Sequence, residues 1–122
     1  MIVDLEALKR IAETEFSDIV QAADIRKGKL RVLLVDGSFI DFWWSWSLEG
    51  RFAHHWERRH VDGKIYRHDN APHSRYRQLS TFPQHFHCGS DSNVIESHLS
   101  LKPEEAVREF LSFAREKIGT KE

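Results

Sequence analysis

The sequence predicts an α+β domain: an antiparallel β-meander of four to six strands, opened by an N-terminal helix and closed by a C-terminal one. Three observations carry this. Both ends of the chain space their apolar residues at helical intervals, the middle is rich in β-branched and aromatic residues, and two Asp-Gly dipeptides separate such runs. The 122 residues suffice for one domain over 1–122 and leave no room for two cores.

The first helix begins after Asp4, a good N-cap, with Val3 and Leu8 placed to form a hydrophobic staple. Leu8, Ile11, Ala12, Phe16 and Ile19 then follow helical spacing. From Ala22 the pattern changes. Lys29–Val35 and Ser38–Trp46 read as strands joined at Asp36-Gly37, where a type I′ turn would need positive φ at both positions. A second hairpin pairs Arg51–Val61 with Lys64–Asn70 through Asp62-Gly63. Residues 71–93 hold two of the three prolines and much Ser, Gln and His, so they read as a long loop of the functional kind. Val94–Leu99 suits a short strand. The closing helix has Pro103 at its first position, Glu104 and Glu105 in its first turn, and Gly119 at its end. Its buried stripe is Val107, Phe110, Leu111, Ala114 and Ile118.

Composition narrows the function classes. Hydrophobic residues make up 40% and charged residues 30%, a globular profile. The net charge is −1, so the chain is no bulk polycation. That total hides an uneven spread. Residues 1–50 hold six Lys/Arg against nine Asp/Glu, residues 51–90 hold seven against three, and residues 91–122 hold five against seven. The basic middle also contains seven of the eight histidines. Cys88 stands alone, which excludes an internal disulfide and a CxxC metal knuckle and fits a reducing compartment. Adjacent side chains rarely aim at each other, so Cys88 beside His87 is a poor nucleophile candidate. The N-terminus lacks a signal-peptide pattern, and no apolar run is long enough to span a bilayer. The expected setting is the cytoplasm.

A two-residue Asp62-Gly63 turn sets an expected register: Val61 faces Lys64, Arg59 faces Tyr66, Glu57 faces His68 and His55 faces Asn70. The opposite face would pair His60 with Ile65, Arg58 with Arg67 and Trp56 with Asp69. Two arginines directly opposed repel. An anion between them, neutralisation by Asp69 or Asp41, or splaying into water would each relieve that. Trp43, Trp44 and Trp46 alternate imperfectly, so at least one points away from the core. It either stacks a nucleobase or serves a partner interface.

Three patches occur together: Phe52-Ala53-His54-His55-Trp56, Arg67-His68-Asp69-Asn70-Ala71-Pro72-His73 and Phe82-Pro83-Gln84-His85-Phe86-His87. They resemble the TumE family, the toxin halves of bacterial and archaeal toxin–antitoxin pairs. The family's patterns are a histidine after an aromatic strand, an RxDNAPH-like stretch and an FPxHxH-like stretch. The basic return strand after the Asp-Gly hairpin and the KPEEAVREFL helix also match, so the resemblance runs from about Lys29 to Ile118. It departs at Phe52-Ala53-His54, where the family pattern has an aromatic-basic-aromatic run. The resemblance implies a toxin held by a cognate antitoxin carrying a helix-turn-helix domain.

Metal-free RNA cleavage needs a base for the 2′-hydroxyl, an acid for the leaving 5′-oxygen and a cation on the phosphate. The favoured set is His55 or His73 as base, His85 or His87 as acid, Arg67 on phosphate and Asp69 orienting a histidine. Arg58, Arg59, Arg67, Arg75 and Arg77 supply the RNA-binding charge. In this reading no metal and no cofactor are needed. One rival is a metal-dependent nuclease or phosphoesterase. His85 and His87 lie two apart and share a strand face, and His73 or Asp69 would complete a three-ligand site with an open position. Another rival is a non-catalytic module that binds nucleic acid or a partner, with structural histidines. His60, His68 and His98 carry no motif and read as surface residues. Asn70-Ala71-Pro72 fits simple turn chemistry. An exposed sheet edge would serve a homodimer or the antitoxin.

Overall fold

A computed structural model describes residues 2–119. The elements in order are α1 (Leu5–Glu15), β1 (Val20–Arg26), β2 (Lys29–Leu34), β3 (Phe39–Trp44), β4 (Phe52–Arg58), a single turn α2 (Arg59–Asp62), β5 (Lys64–Asp69), a 3₁₀ turn at Ser74–Tyr76, β6 (His85–Gly89), β7 (Val94–Glu96) and α3 (Pro103–Gly119). Each strand pairs antiparallel with the next, giving one seven-stranded meander in sequence order. No described helix is long and apolar enough to cross a membrane.

The sheet therefore has seven strands, not four to six. The extra ones are β1 and β6. The sequence hid β1 because most of its side chains are polar or small and only partly covered. It hid β6 because His85–Gly89 lies within the stretch 71–93, whose Pro, Ser and Gln suggest loop. The turn chemistry also differs. Lys27 and Gly28 both have positive φ (51° and 78°), so the type I′-like turn joins β1 to β2. At the β2–β3 corner only Gly37 is left-handed, at 91°. Leu34 N donates to Ser38 O at 2.8 Å, which makes a three-residue loop closed by one glycine.

The second hairpin shifts most. Arg58 pairs with Lys64, Trp56 with Tyr66, His55 with Arg67 and Ala53 with Asp69. Residues 59–62 form α2 instead of strand, and Gly63 (φ 80°) ends it. The expected pairing is displaced by three residues, an odd number, so every cross-strand partner changes face. Arg58 does not oppose Arg67.

One sheet face is the core. Leu30, Val32, Ile40, Phe42 and Trp56 are fully buried there, as are Val107, Leu111 and Ala114 of α3, with Leu8 and Ala12 of α1 scarcely exposed. Asp4 caps α1 by accepting Ala7 N–H at 3.1 Å, and Val3 packs on the core as a staple would. The helix stops at Glu15, so Ile19 is buried from the connection that follows, not from the helix. The α3 stripe is as expected, with Ile118 only partly buried. Arg108–Glu15 and Arg115–Asp18 forks tie α3 to the α1 end of the chain.

His54 belongs to this core. Its ring packs among Phe42, Trp44 and Phe52, and Nδ1 accepts Trp43 N–H at 3.2 Å. Burial, reinforced by His68 and Arg67 nearby, holds its pKa well below 6.5. The folded ring stays neutral while the unfolded one takes a proton below 6.5. Stability is thus complete above 6.5 and falls by up to about 1.4 kcal/mol per pH unit on acidification toward the folded-state pKa. Denaturant titrations between about pH 7 and pH 5 are expected to show this slope in the parent and a shallower one in His54→Phe. Equal slopes would refute the assignment.

Candidate active site on the open sheet face

Strand alternation turns the other set of side chains away from the helices. Asp41, His55, Arg67 and His87 are successive partners across β3, β4, β5 and β6, and Arg31 on β2 extends the row. A parallel row runs Trp43, Ala53, Asp69, His85 and Glu96. Strands lie about 4.8 Å apart, so His55 and His87 stand about 10 Å apart with Arg67 between them. These two rows gather five of the six expected catalytic residues on one surface.

Their contacts form a chain. Glu57 Oε1 lies 3.1 Å from His55 Nε2, and Arg67 Nη1 lies 3.5 Å from His55 Nδ1. Because Arg67 can only donate, Nδ1 carries the lone pair and the Nε2 proton goes to Glu57. Burial opposes charge on Glu57, yet the Arg59 backbone N–H, His55 and the Arg59 cation together hold its carboxyl below the ordinary value. Arg67 Nε donates to Asp69 Oδ2 at 2.9 Å. Asp69 Oδ1 accepts Ala71 N–H at 3.0 Å and lies 3.1 Å from His85 Nε2. His85 Nδ1 donates to Pro83 O at 2.9 Å, and His87 Nδ1 donates to Asp91 O at 3.0 Å. Asp69, His85 and His87 are all buried, and each brings one donor atom within 4.8 Å of the others.

The segment after β5 folds back over this corner. The Tyr76 ring sits 4.4 Å from that of His85 and 6.0 Å from that of His87. His73 is the candidate that does not converge. It is exposed, its Nε2 lies 3.4 Å from Arg75, and its ring stands 5.7 Å from Tyr76, which separates it from the corner. A groove of about 380 Å³ opens beside the rows, lined by Lys29, Asp41, Trp43, Ala53, His55 and Arg67. Another of about 400 Å³ lies by Arg75, Tyr76 and Asp91. A larger hollow of about 610 Å³ near Gly50 and Pro83 holds none of the six candidates.

The remaining expected residues sort clearly. Arg58 is only 5% exposed, bonded to Asp36 at 2.8 Å and Asp62 at 3.0 Å, so it faces the core side, away from the two rows. Arg59 is exposed and shared between Glu57 and Asp91. Arg75 and Arg77 are exposed on the segment over the corner. His68 is not a surface residue: it stacks on Phe86 at 4.1 Å and bonds Ser97, and burial, with His85 nearby, lowers its pKa to about 4. His60 and His98 are exposed, as expected. Asn70 stitches the β4 start, accepting Phe52 N–H and donating to Gly50 O. Trp43 faces the groove and Trp46 is 97% exposed, whereas Trp44 is core.

Two residues that touch these histidines, Glu57 and Tyr76, were not among the expected site residues. Glu57 was legible in principle, since it lies two residues from His55 on one strand and so shares its face. Tyr76 was not, because only the fold of the loop places it over His85.

No curated protein and no solved structure gives a significant match. The family described as Toxin TumE matches residues 5–118, nearly the whole chain and all three histidine-bearing patches. The chain therefore belongs to the TumE toxin family.

Proposed function

We propose that this toxin is an RNA endonuclease that cleaves on the open sheet face. The observation that carries the reading is the continuous contact chain Glu57–His55–Arg67–Asp69–His85 across three neighbouring strand rows, with His87 beside its end. An RNA phosphate suits the position of Arg67, whose Nη2 has no partner among the described residues. His55 Nδ1 takes the 2′-hydroxyl proton, and Glu57 stabilises the imidazolium that forms, as an orienting carboxylate does. The 2′-oxygen then bonds to phosphorus while the P–O5′ bond breaks. The leaving oxygen departs toward the Asp69–His85–His87 corner and is protonated there by solvent. Trp43 and Lys29 in the adjoining groove suit a flanking base and phosphate. Family membership implies an antitoxin partner, and we take it to carry a helix-turn-helix domain. Among the described residues the outer edge of β1 has no strand beside it, and it is a place where an antitoxin strand, or a second copy of the chain, can pair.

Expression of the toxin alone tests the biological half: growth arrest accompanied by RNA fragmentation is expected, and arrest with intact RNA would contradict it. Binding gives a separate check. Arg75→Ala with Arg77→Ala is expected to weaken RNA affinity at low salt and flatten its dependence on salt by about two phosphate contacts. An unchanged salt slope would remove these arginines from the interface.

A further inference from the structure

We propose that Asp69, His85 and His87 form a binding site for one divalent transition-metal ion of the zinc class. As a statement about the reaction this rests on the RNA-cleavage reading; as a statement about binding it stands alone. The reasoning starts from the ring protons. Pro83 O and Asp91 O can only accept, so Nδ1 of both His85 and His87 must carry hydrogen. A neutral ring then has its lone pair on Nε2. His85 Nε2 lies 3.1 Å from Asp69 Oδ1, itself an acceptor. One ring nitrogen of each histidine and a carboxylate oxygen of Asp69 lie within 4.8 Å of one another, all on buried residues. Arg67 compensates Asp69 from its Oδ2 side; on the histidine side a carboxylate oxygen facing a ring nitrogen without hydrogen favours a shared cation, either a proton or a metal ion.

A proton on His85 would satisfy His85 and Asp69 alone. It gives no reason for His87 to be held in the same tautomer by a second backbone carbonyl. Paired Nδ1–H donations to carbonyls are what orient histidine ligands around a metal. The carboxylate is oriented as well: Arg67 takes Oδ2, while Ala71 N–H and His85 bracket Oδ1. Two imidazoles and one carboxylate suit zinc and its neighbours, whereas magnesium and calcium require mainly oxygen ligands. Three protein ligands leave one tetrahedral position open, the arrangement of a catalytic site rather than a closed structural one. Asp69 is bonded to Arg67 as well, so an ion held on Asp69 would lie near the cation placed on phosphate and would stabilise charge on the departing oxygen. In this proposal the metal-bearing alternative to the metal-free site is taken up, with Asp69 as third ligand; His73 is not among the clustered ligand residues.

The test uses full-length, tag-free protein stripped with a chelator. Cobalt(II) is titrated first, as a visible-absorbing stand-in, and zinc is then titrated by calorimetry. The expected result is one cobalt with ligand-field absorption, displaced by one zinc. Affinity should fall by at least about 100-fold in His87→Gln and in Asp69→Asn. The double variant His60→Ala, His98→Ala removes exposed histidines and should bind like the parent. Circular dichroism checks that each variant is folded, and Asp69→Asn keeps the side-chain volume should His87→Gln fold poorly. No saturable uptake, or uptake that folded His87→Gln and Asp69→Asn both leave unchanged, overturns the proposal. RNA cleavage by zinc-free protein without saturable binding removes the ion and spares the function. Saturable zinc binding by a protein that leaves RNA intact does the reverse.

Discussion

His55→Ala is expected to lower RNA cleavage by about 10²–10⁴-fold, the usual contribution of a positioned proton-transfer group. Arg67→Ala should cost about 10²–10³-fold, as loss of a donor aimed at developing negative charge does. The two variants differ in kind. His55 accepts a proton only as the reaction proceeds, so its loss should appear in kcat with KM little changed. Arg67 also holds the ground-state phosphate, so its loss should raise KM as well. It further orients Asp69 through the 2.9 Å Nε bond, which couples it to the Asp69–His85–His87 corner. Single-turnover rates and KM on a short RNA separate these effects. A folded His55→Ala protein that cleaves like the parent would remove His55 from the chemistry.

Arg58→Ala is expected to destabilise the fold by about 3–5 kcal/mol, the usual cost of removing one partner from a buried ion pair. The guanidinium is almost wholly buried, and it joins Asp36 in the β2–β3 corner to Asp62 at the end of α2. It also lies 4.5 Å over the Trp56 ring. Asp36 shows the interdependence. Burial opposes its charge, but Ser38 and Arg58 together hold its carboxyl below the ordinary value. Deleting Arg58 leaves that carboxylate buried without its cation. Denaturant midpoints measure the loss. RNA affinity per folded molecule should stay unchanged, because Arg58 touches the core side and not the open face. A loss below about 1 kcal/mol, the scale of an exposed pair, would mean that Asp36 and Asp62 do not depend on it.

What the sequence disclosed about this fold follows from which signals are local. Helix caps, apolar periodicity and the aromatic strands are written within a few residues, so α1, α3, β2, β3 and β4 could be read directly. The register of the second hairpin could not. It depends on whether Arg59–Asp62 continues the strand or turns into a helix, and Arg58's ties to Asp36 and Asp62 across the corner help set that outcome. For the site, FPxHxH and RxDNAPH pointed to residues that the strand pairing gathers, His73 excepted, without saying which were chemical. Asn70 and Gln84 proved to be stitches, with Gln84 bonding Ser97 and Leu99. His85 and His87 became a corner only because β6 pairs with β5 and sets His85 opposite Asp69. Carbonyls at Pro83 and Asp91 fix the ring tautomers, and no side-chain pattern announces a carbonyl.

The most direct test of the account is cleavage of a short RNA by the purified toxin, with the scissile nucleotides carrying either a 2′-hydroxyl or a 2′-deoxy sugar. His55-dependent attack predicts fragments ending in a 2′,3′-cyclic phosphate from the ribose substrate. It predicts no cut at the deoxy positions and no fragments with His55→Ala. Cleavage of both substrates at equal rates, or an RNA left intact by protein that still arrests growth, would contradict it.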